Sequence, residues 1–215
     1  MTEGTRPKRR YDSRRRQEQA AATRRAILDA AQALFEADGY VATTMDAIAA
    51  EAGVAPKTVY GAFATKAGLL RSLWDLLLKG DSDDAPVADR PWYRAVLDEP
   101  DPERQLRLNA ANAVAVKSRI GRLLAVIRSA AAVDSESAAL WRLIQSDFHD
   151  NQRAVVDAVA AHGGLRPGLD RAQATDVLWA LNHPDVWLAL VGERGWTPER
   201  FEAWFADACV RELLG

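Results

Sequence analysis

Apolar residues recur at helical spacing along almost the whole chain. Ile27, Ala31, Leu34 and Phe35, with Leu28 widening the stripe, mark a first amphipathic helix from about Ala20. Gly39 stops it, at the place where helices take a left-handed residue. Thr44 reads as the N-cap of a second helix, with Asp46 in its first turn, running through Ile48 and Ala49 to Ala52. Gly53 supplies a left-handed turn, and Pro56 opens a short third helix that closes at Phe63. Thr65 caps a fourth, which carries Leu69, Leu70, Leu73, Trp74, Leu77 and Leu78.

The polar, acidic stretch GDSDDAPVADRP (80–91) then reads as a linker. Beyond it the spacing predicts helices from Asp101-Pro102-Glu103 to about Val116, from Ser118 to Val133, and from Glu136 to about His162. After the break HGGLRPG come helices at 171–182, from Pro184 to about Val191, and from Thr197-Pro198-Glu199 to the end. No stretch sustains a two-residue alternation. The fold class is therefore all-α: a three-helix N-terminal domain containing a helix-turn-helix, and a larger helical domain. The expected boundaries are a disordered basic arm at 1–17, a helix-turn-helix domain at 18–66, and a regulatory and dimerisation domain at 67–215.

The net charge of −2 hides a division. Residues 1–71 hold 12 basic and 8 acidic side chains, and the remainder 16 and 22. The stretch GTRPKRRYDSRRR (4–16) alone has seven positive charges against one negative, which points to a nucleic-acid or membrane contact at this end. A single cysteine, Cys209, excludes an internal disulfide and suits a reducing cytoplasm. No apolar run is long enough to span a bilayer, so no membrane partner is expected.

Residues 44–63 have helix-turn-helix spacing: small Ala49 faces the partner helix, Gly53 turns the chain, and Val54 and Val59 fill the angle. This presents the first turn of the second helix outward, where Lys57, Thr58 and Tyr60 can meet phosphates and base edges. Lys57 can reach a guanine edge or a phosphate, Thr58 a base edge or thymine methyl, and Tyr60 a phosphate. Thr44 and Thr65 cap helix ends that attract phosphate oxygens, and Lys66 adds charge beside the second. Many helical corners with a glycine bind no DNA, but an incidental corner has no need of the basic arm.

Residues 24–70, RRAILDAAQALFEADGYVATTMDAIAAEAGVAPKTVYGAFATKAGLL, closely resemble the DNA-binding domain of the tetracycline-repressor (TetR) family. The resemblance rests on AA-x-x-LF, Gly39-Tyr40, Ile48-Ala49, Ala52-Gly53-Val54, Thr58-Val59-Tyr60, Phe63, and Lys66 followed by leucines. It implies DNA contacts from Thr44, Pro56, Lys57, Thr58, Tyr60 and Lys66. It also implies a homodimer on a palindromic double-stranded operator, acting as a repressor released by an apolar or aromatic small-molecule effector. Ala55 stands where many relatives have Ser, which puts one cap or phosphate contact in doubt.

Residues from about 90 to 215 hold six of the seven tryptophans. Core packing is the simpler reading of each, and an aromatic-walled ligand pocket the sharper one. Candidate ligand-binding residues are Asn112, Arg128, Trp141, Gln145, Phe148, His149, Trp179 and His183, with Asn109 beside them. The helices at 171–192 and 198–214 are the expected dimer surface, through Val177, Leu178, Leu181, Trp187, Leu188, Leu190, Phe201, Trp204, Phe205, Ala208 and Leu213. The alternative is that these faces pack inside their own subunit. No metal-ligand spacing, phosphate loop or nucleophile elbow occurs, so neither cofactor, metal nor catalysis is expected. A regulator governed by a protein partner, a helical enzyme and a basic-arm RNA or membrane binder remain the competing readings.

Overall fold

A computed structural model describes residues 8–80 and 87–215, with side chains from Arg15 onward except at position 88. Among the described residues there are helices and no strand. They form two compact units dividing between Leu73 and Trp74, seven residues beyond the boundary expected from sequence.

In the first unit α1 spans Lys8–Ala42, α2 Met45–Glu51, α3 Pro56–Phe63 and α4 Lys66–Lys79, the last continuing into the second unit. α1 begins at Lys8 rather than near Ala20, so the part of the basic arm at 8–17 is helical. Lys and Arg make up six of those ten residues, and straight-chain residues lose little freedom in a helix. Residues 1–7 of the expected arm lie outside the described residues. Gly39 breaks the helical conformation inside the α1 span (φ 79°, ψ 172°). Thr44 caps α2 by accepting from the Ala47 N–H at 3.1 Å. Ala55 at the N-cap of α3 supplies no side-chain acceptor. The core of this unit is Ile27, Ala31, Phe35, Ile48, Ala49, Val59, Leu69, Leu70 and Leu73, each at most 1% exposed.

In the second unit a 3-10 turn (Val87–Asp89), inside the stretch read from sequence as linker, leads into α5 (Pro91–Leu97), a helix not assigned from the sequence. Pro91 at the first helical position and the buried pair Tyr93 and Val96 carried that signal. α6 is one helix, Pro102–Ala131, where two were expected, because Ser118 interrupts nothing. α7 (Ser135–Ala161) is capped by Asp134, and α8 (Arg171–Leu181) by an Asp170–Gln173 capping box. α9 (Pro184–Trp187) runs into a π-helical turn, Leu188–Glu193, and α10 (Pro198–Leu213) is capped by Thr197. α6 packs on α7 and α10, and α8 on α7 and α10. Between them lies a core of Leu106, Ala110, Val156, Leu178, Phe201 and Phe205. Gly121 lets α6 approach Trp187, since a Cβ there would meet the indole Nε1 at 2.8 Å.

Gly68 plays the same part in the first unit. A Cβ on it would lie 2.6 Å from the Phe63 carbonyl oxygen and 3.2 Å from Thr65 Oγ1. Gly68→Ala gains about 1 kcal/mol of helix propensity. It also drives a methyl into backbone that cannot swing aside, which costs about 1–3 kcal/mol. The expected result is net destabilisation, read as a lower Tm by circular dichroism; an unchanged or raised Tm contradicts this packing.

Candidate functional site

α3 is eight residues long and divided lengthwise. Val59 and Phe63 are buried, while Pro56, Lys57, Tyr60, Gly61 and Ala62 are exposed and Thr58 is half-buried. Tyr60 is 49% exposed, one of few large apolar-bodied side chains left at the surface. The turn before it is fixed by Gly53 (φ 67°) and by Val54 N–H donating to the Ala49 carbonyl at 3.0 Å. Space beside Gly61 is empty to 4 Å. The outward strip of α3 therefore consists of a cation, a phenol and a bare stretch of backbone. Thr44 is exposed at the start of α2, and Thr65 Oγ1 accepts from the Gly68 N–H at 2.9 Å.

Lys66, expected at a phosphate, is bonded within the head. Its ammonium donates to the Tyr40 and Thr43 carbonyls at 2.6 and 2.8 Å and lies 4.2 Å from the Tyr40 ring centroid. Thr43 Oγ1 in turn donates to the Gly39 carbonyl at 2.8 Å. The lysine thus stitches down the connection that delivers Thr44 and α2. Arg24, which the sequence reading passed over, does similar work from α1. It donates to the Ala62 carbonyl at 3.0 Å and to Ser72 Oγ at 2.9 Å, and stacks 4.2 Å over the Phe63 ring. A lone arginine on an amphipathic helix gives no sequence signal for such a role.

The second unit holds a cavity of about 120 Å³. Of the eight expected ligand residues, Asn112 and Phe148 line it, as does Asn109. Asn112 Nδ2 donates to the Trp92 carbonyl at 2.6 Å. Four others gather outside the lining: Trp179 stands 4.8 Å from His183 and 6.3 Å from His149, and His183 Nε2 lies 3.3 Å from Gln145 Oε1. Burial holds the His183 pKa below its usual value, although Asp185 opposes the shift. Arg128 pairs with Asp185, and Trp141 is half-buried on α7. The aromatic walls come from Phe148 together with Trp74, Trp92 and Tyr93. The residues missed were Lys117, Gln152 and Asn182, all buried polar groups lining this space.

Of the expected dimer residues, Leu178, Trp187, Phe201, Phe205, Ala208 and Leu213 are buried within their own subunit. Val177, Leu181, Leu188, Leu190 and Trp204 are only partly buried. The alternative of packing inside the subunit holds for the first set. Among the described residues no helix is long and apolar enough to cross a membrane, and no cluster of potential metal ligands occurs.

Among the described residues the chain is all-α, with a helix-turn-helix head and a helical body that holds a cavity. Residues 27–73 match the model of the bacterial regulatory proteins of the tetR family. The fold agrees with solved structures along most of the chain. NalD, the secondary repressor of the MexAB-OprM multidrug efflux pump in Pseudomonas aeruginosa, superposes with TM-score 0.68 at 22% identity, covering 91% of this chain and 98% of its own. SmeT, the repressor of the Stenotrophomonas maltophilia multidrug efflux pump SmeDEF, gives 0.66 at 21%, covering 89% and 90%. A SmeT–triclosan complex gives 0.69 at 21%, covering 90% and 92%. No curated protein matches the chain.

Two variants separate holding the head together from presenting it. Gly61→Ala fills empty space on a helix and is expected to stabilise the fold by about 0.5–1 kcal/mol. The same methyl stands on the outward strip, so duplex binding should weaken while Tm rises. Lys66→Ala removes two charge-assisted bonds to carbonyls and should cost about 1–3 kcal/mol in a thermal melt. A lysine serving only as a phosphate ligand would leave the melt unchanged.

Proposed function

We propose that the protein is a homodimeric transcriptional repressor that binds a palindromic operator through α3 and is released by a small-molecule effector in the second-unit cavity. The observation that carries this reading is the lengthwise division of α3: Val59 and Phe63 are buried, so Lys57, Tyr60 and the open backbone at Gly61 must face outward. Lys57 and Thr58 are the readers of base edges, and Tyr60 and Thr44 the contacts to phosphate. Pro56 sets the start of the helix, and Lys66 acts indirectly by holding the connection before α2. One eight-residue helix reads few bases. Two, related by a twofold axis, double the contacts and require half-sites about 34–36 Å apart or a multiple of this. The partly buried Leu181, Leu188, Leu190 and Trp204 are the apolar surface for the second copy.

α4 supports the regulatory half of the reading. It contributes Leu69 and Leu70 to the head core and Trp74 and Leu78 to the cavity wall. A ligand that favours one position of its second half biases the first half through a continuous helix. The SmeT–triclosan complex is a precedent, in a protein of similar fold, for a small aromatic ligand.

The test is an electrophoretic shift of a palindromic fragment from the region upstream of the coding sequence. Affinity should fall steeply with salt, since phosphate neutralisation releases counterions. Lys57→Ala should relax preference at one base position by about 1–3 kcal/mol and leave the melt unchanged. A protein that stays monomeric and prefers no duplex over random competitor refutes the reading.

A further inference from the structure

Lys117 stands in the middle of α6, only 5% exposed, and lines the cavity. Its Nζ donates to Asn182 Oδ1. Asn182 Nδ2 donates onward to Gln152 Oε1 at 3.1 Å, and Gln152 Nε2 to the Phe148 carbonyl at 3.4 Å. Every donor in this chain points away from Lys117, so the ammonium receives one neutral amide oxygen, that of Asn182, and no charged acceptor. The other neighbours are the rings of Phe148, Phe201 and Phe205, with centroids 5.7–5.9 Å away. Among the described residues no carboxylate lies within ion-pair distance of this ammonium.

The groups around it do not supply the missing anion. Asp147, on the cavity wall, is exposed and makes no ion pair with Lys117 among the described residues. The Tyr93 hydroxyl donates to the Asn151 carbonyl at 3.1 Å, and burial lifts its pKa to about 12. Burial likewise lifts the Cys209 thiol to about 12, against the pull of Lys117, and holds the His183 pKa down. A second donor in the lining is also open: Asn109 is 7% exposed, and its Nδ2 has no acceptor among the described residues. The space therefore offers one under-used cation and one free N–H donor within walls otherwise largely apolar. An unpaired buried charge and an unpaired donor are both costly, and a ligand bringing acceptors removes both costs.

We infer that the cavity selects an apolar weak acid, whose carboxylate or phenolate oxygen seats on Lys117 Nζ and whose hydrocarbon or aromatic body lies against Trp74 and Trp92. The inference rests on the effector reading above and narrows it to one chemical class. It also carries a pH dependence. Desolvation lowers the Lys117 pKa to about 7, and a bound anion raises it again. Below that value the ammonium is already present and affinity for a carboxylate is flat. Above it the ligand must recruit a proton, so affinity falls roughly tenfold per pH unit until the pKa of the complex is reached.

The experiment is calorimetric titration of the full chain with benzoate, 1-naphthaleneacetate and decanoate, each beside its uncharged primary amide, at pH 6, 7 and 8.5. At least one acid should bind at pH 6 and 7 at least tenfold tighter than its amide and weaken at pH 8.5. In Lys117→Met, of similar length and without charge, that preference and the pH slope should both vanish. Amides binding as tightly as acids, a preference that survives Lys117→Met, or no binding by any member overturns the inference. Should Lys117→Met fail to fold, the acid–amide pairs and pH series on the unaltered protein decide alone. The same compounds added to the retarded DNA complex separate the two readings. Amides that release DNA leave the regulator standing and remove the acid, whereas failure to retard any duplex sinks the regulator and leaves the calorimetry untouched.

Discussion

An eight-residue helix has no stability of its own in water, because nucleation costs more than so few hydrogen bonds return. α3 exists only because Val59 and Phe63 are buried and the helix packs on α2, and because Gly53 turns the chain sharply enough to allow it. That constraint decides the rest of the head. Fixing the inner face of a helix this short fixes the outer one. Lys57, Tyr60 and Gly61 are presented by the same burial that makes them helical, with no separate device to aim them. Arg24 closes the arrangement from outside, with one guanidinium tied to α3 through Ala62 and Phe63 and to α4 through Ser72.

The head was legible in sequence because its signals are local. Thr44 as a cap, Gly53 as a turn and Pro56 as a first-turn residue act within three or four positions, and all three stand where the spacing put them. The intramolecular bonds of Lys66 were not legible in the sequence, for a physical reason. A lysine beside a helix N-terminus next to a DNA-facing corner looks like free charge. Whether it is free depends on carbonyls at Tyr40 and Thr43, more than twenty residues away, whose orientation follows from the Gly39 break. Periodicity carries no information about which carbonyls a distant loop leaves unpaired.

The body was legible as a set of helices but not as a site. The aromatic residues chosen as pocket walls were real neighbours, yet Trp179, His149, His183 and Gln145 cluster with one another outside the cavity lining. Lys117 was missed because a charged residue in an amphipathic helix is assigned to the wet face by default. A signal did exist. Lys117 stands four residues after Ala113, three before Ile120 and seven before Leu124, in register with the inward stripe of α6. A long cation on a buried stripe is out of place for packing alone, and such departures from local rules concentrate where a protein does something besides fold.

The proposed regulator has to turn events at that cation into a change in DNA affinity, and the magnitudes limit how. A ligand shifts an equilibrium only by its difference in affinity for the two arrangements. Moving a population from 99:1 to 1:99 requires about 5.5 kcal/mol of such difference. Apolar contact with cavity walls gives little of this by itself if the walls are alike in both arrangements. Pairing a desolvated ammonium is steeper, because the interaction depends on distance and on how completely water is excluded. Lys117 is held by a chain of amides from α7 and the end of α8, while Trp74 and Leu78 bring α4 to the same space. An anion seated between them is bound tightly only when the α4 wall closes over it and excludes water. On the proposed function, the arrangement with that wall in place is the one the ligand selects, and the head built on the first half of the same helix follows it.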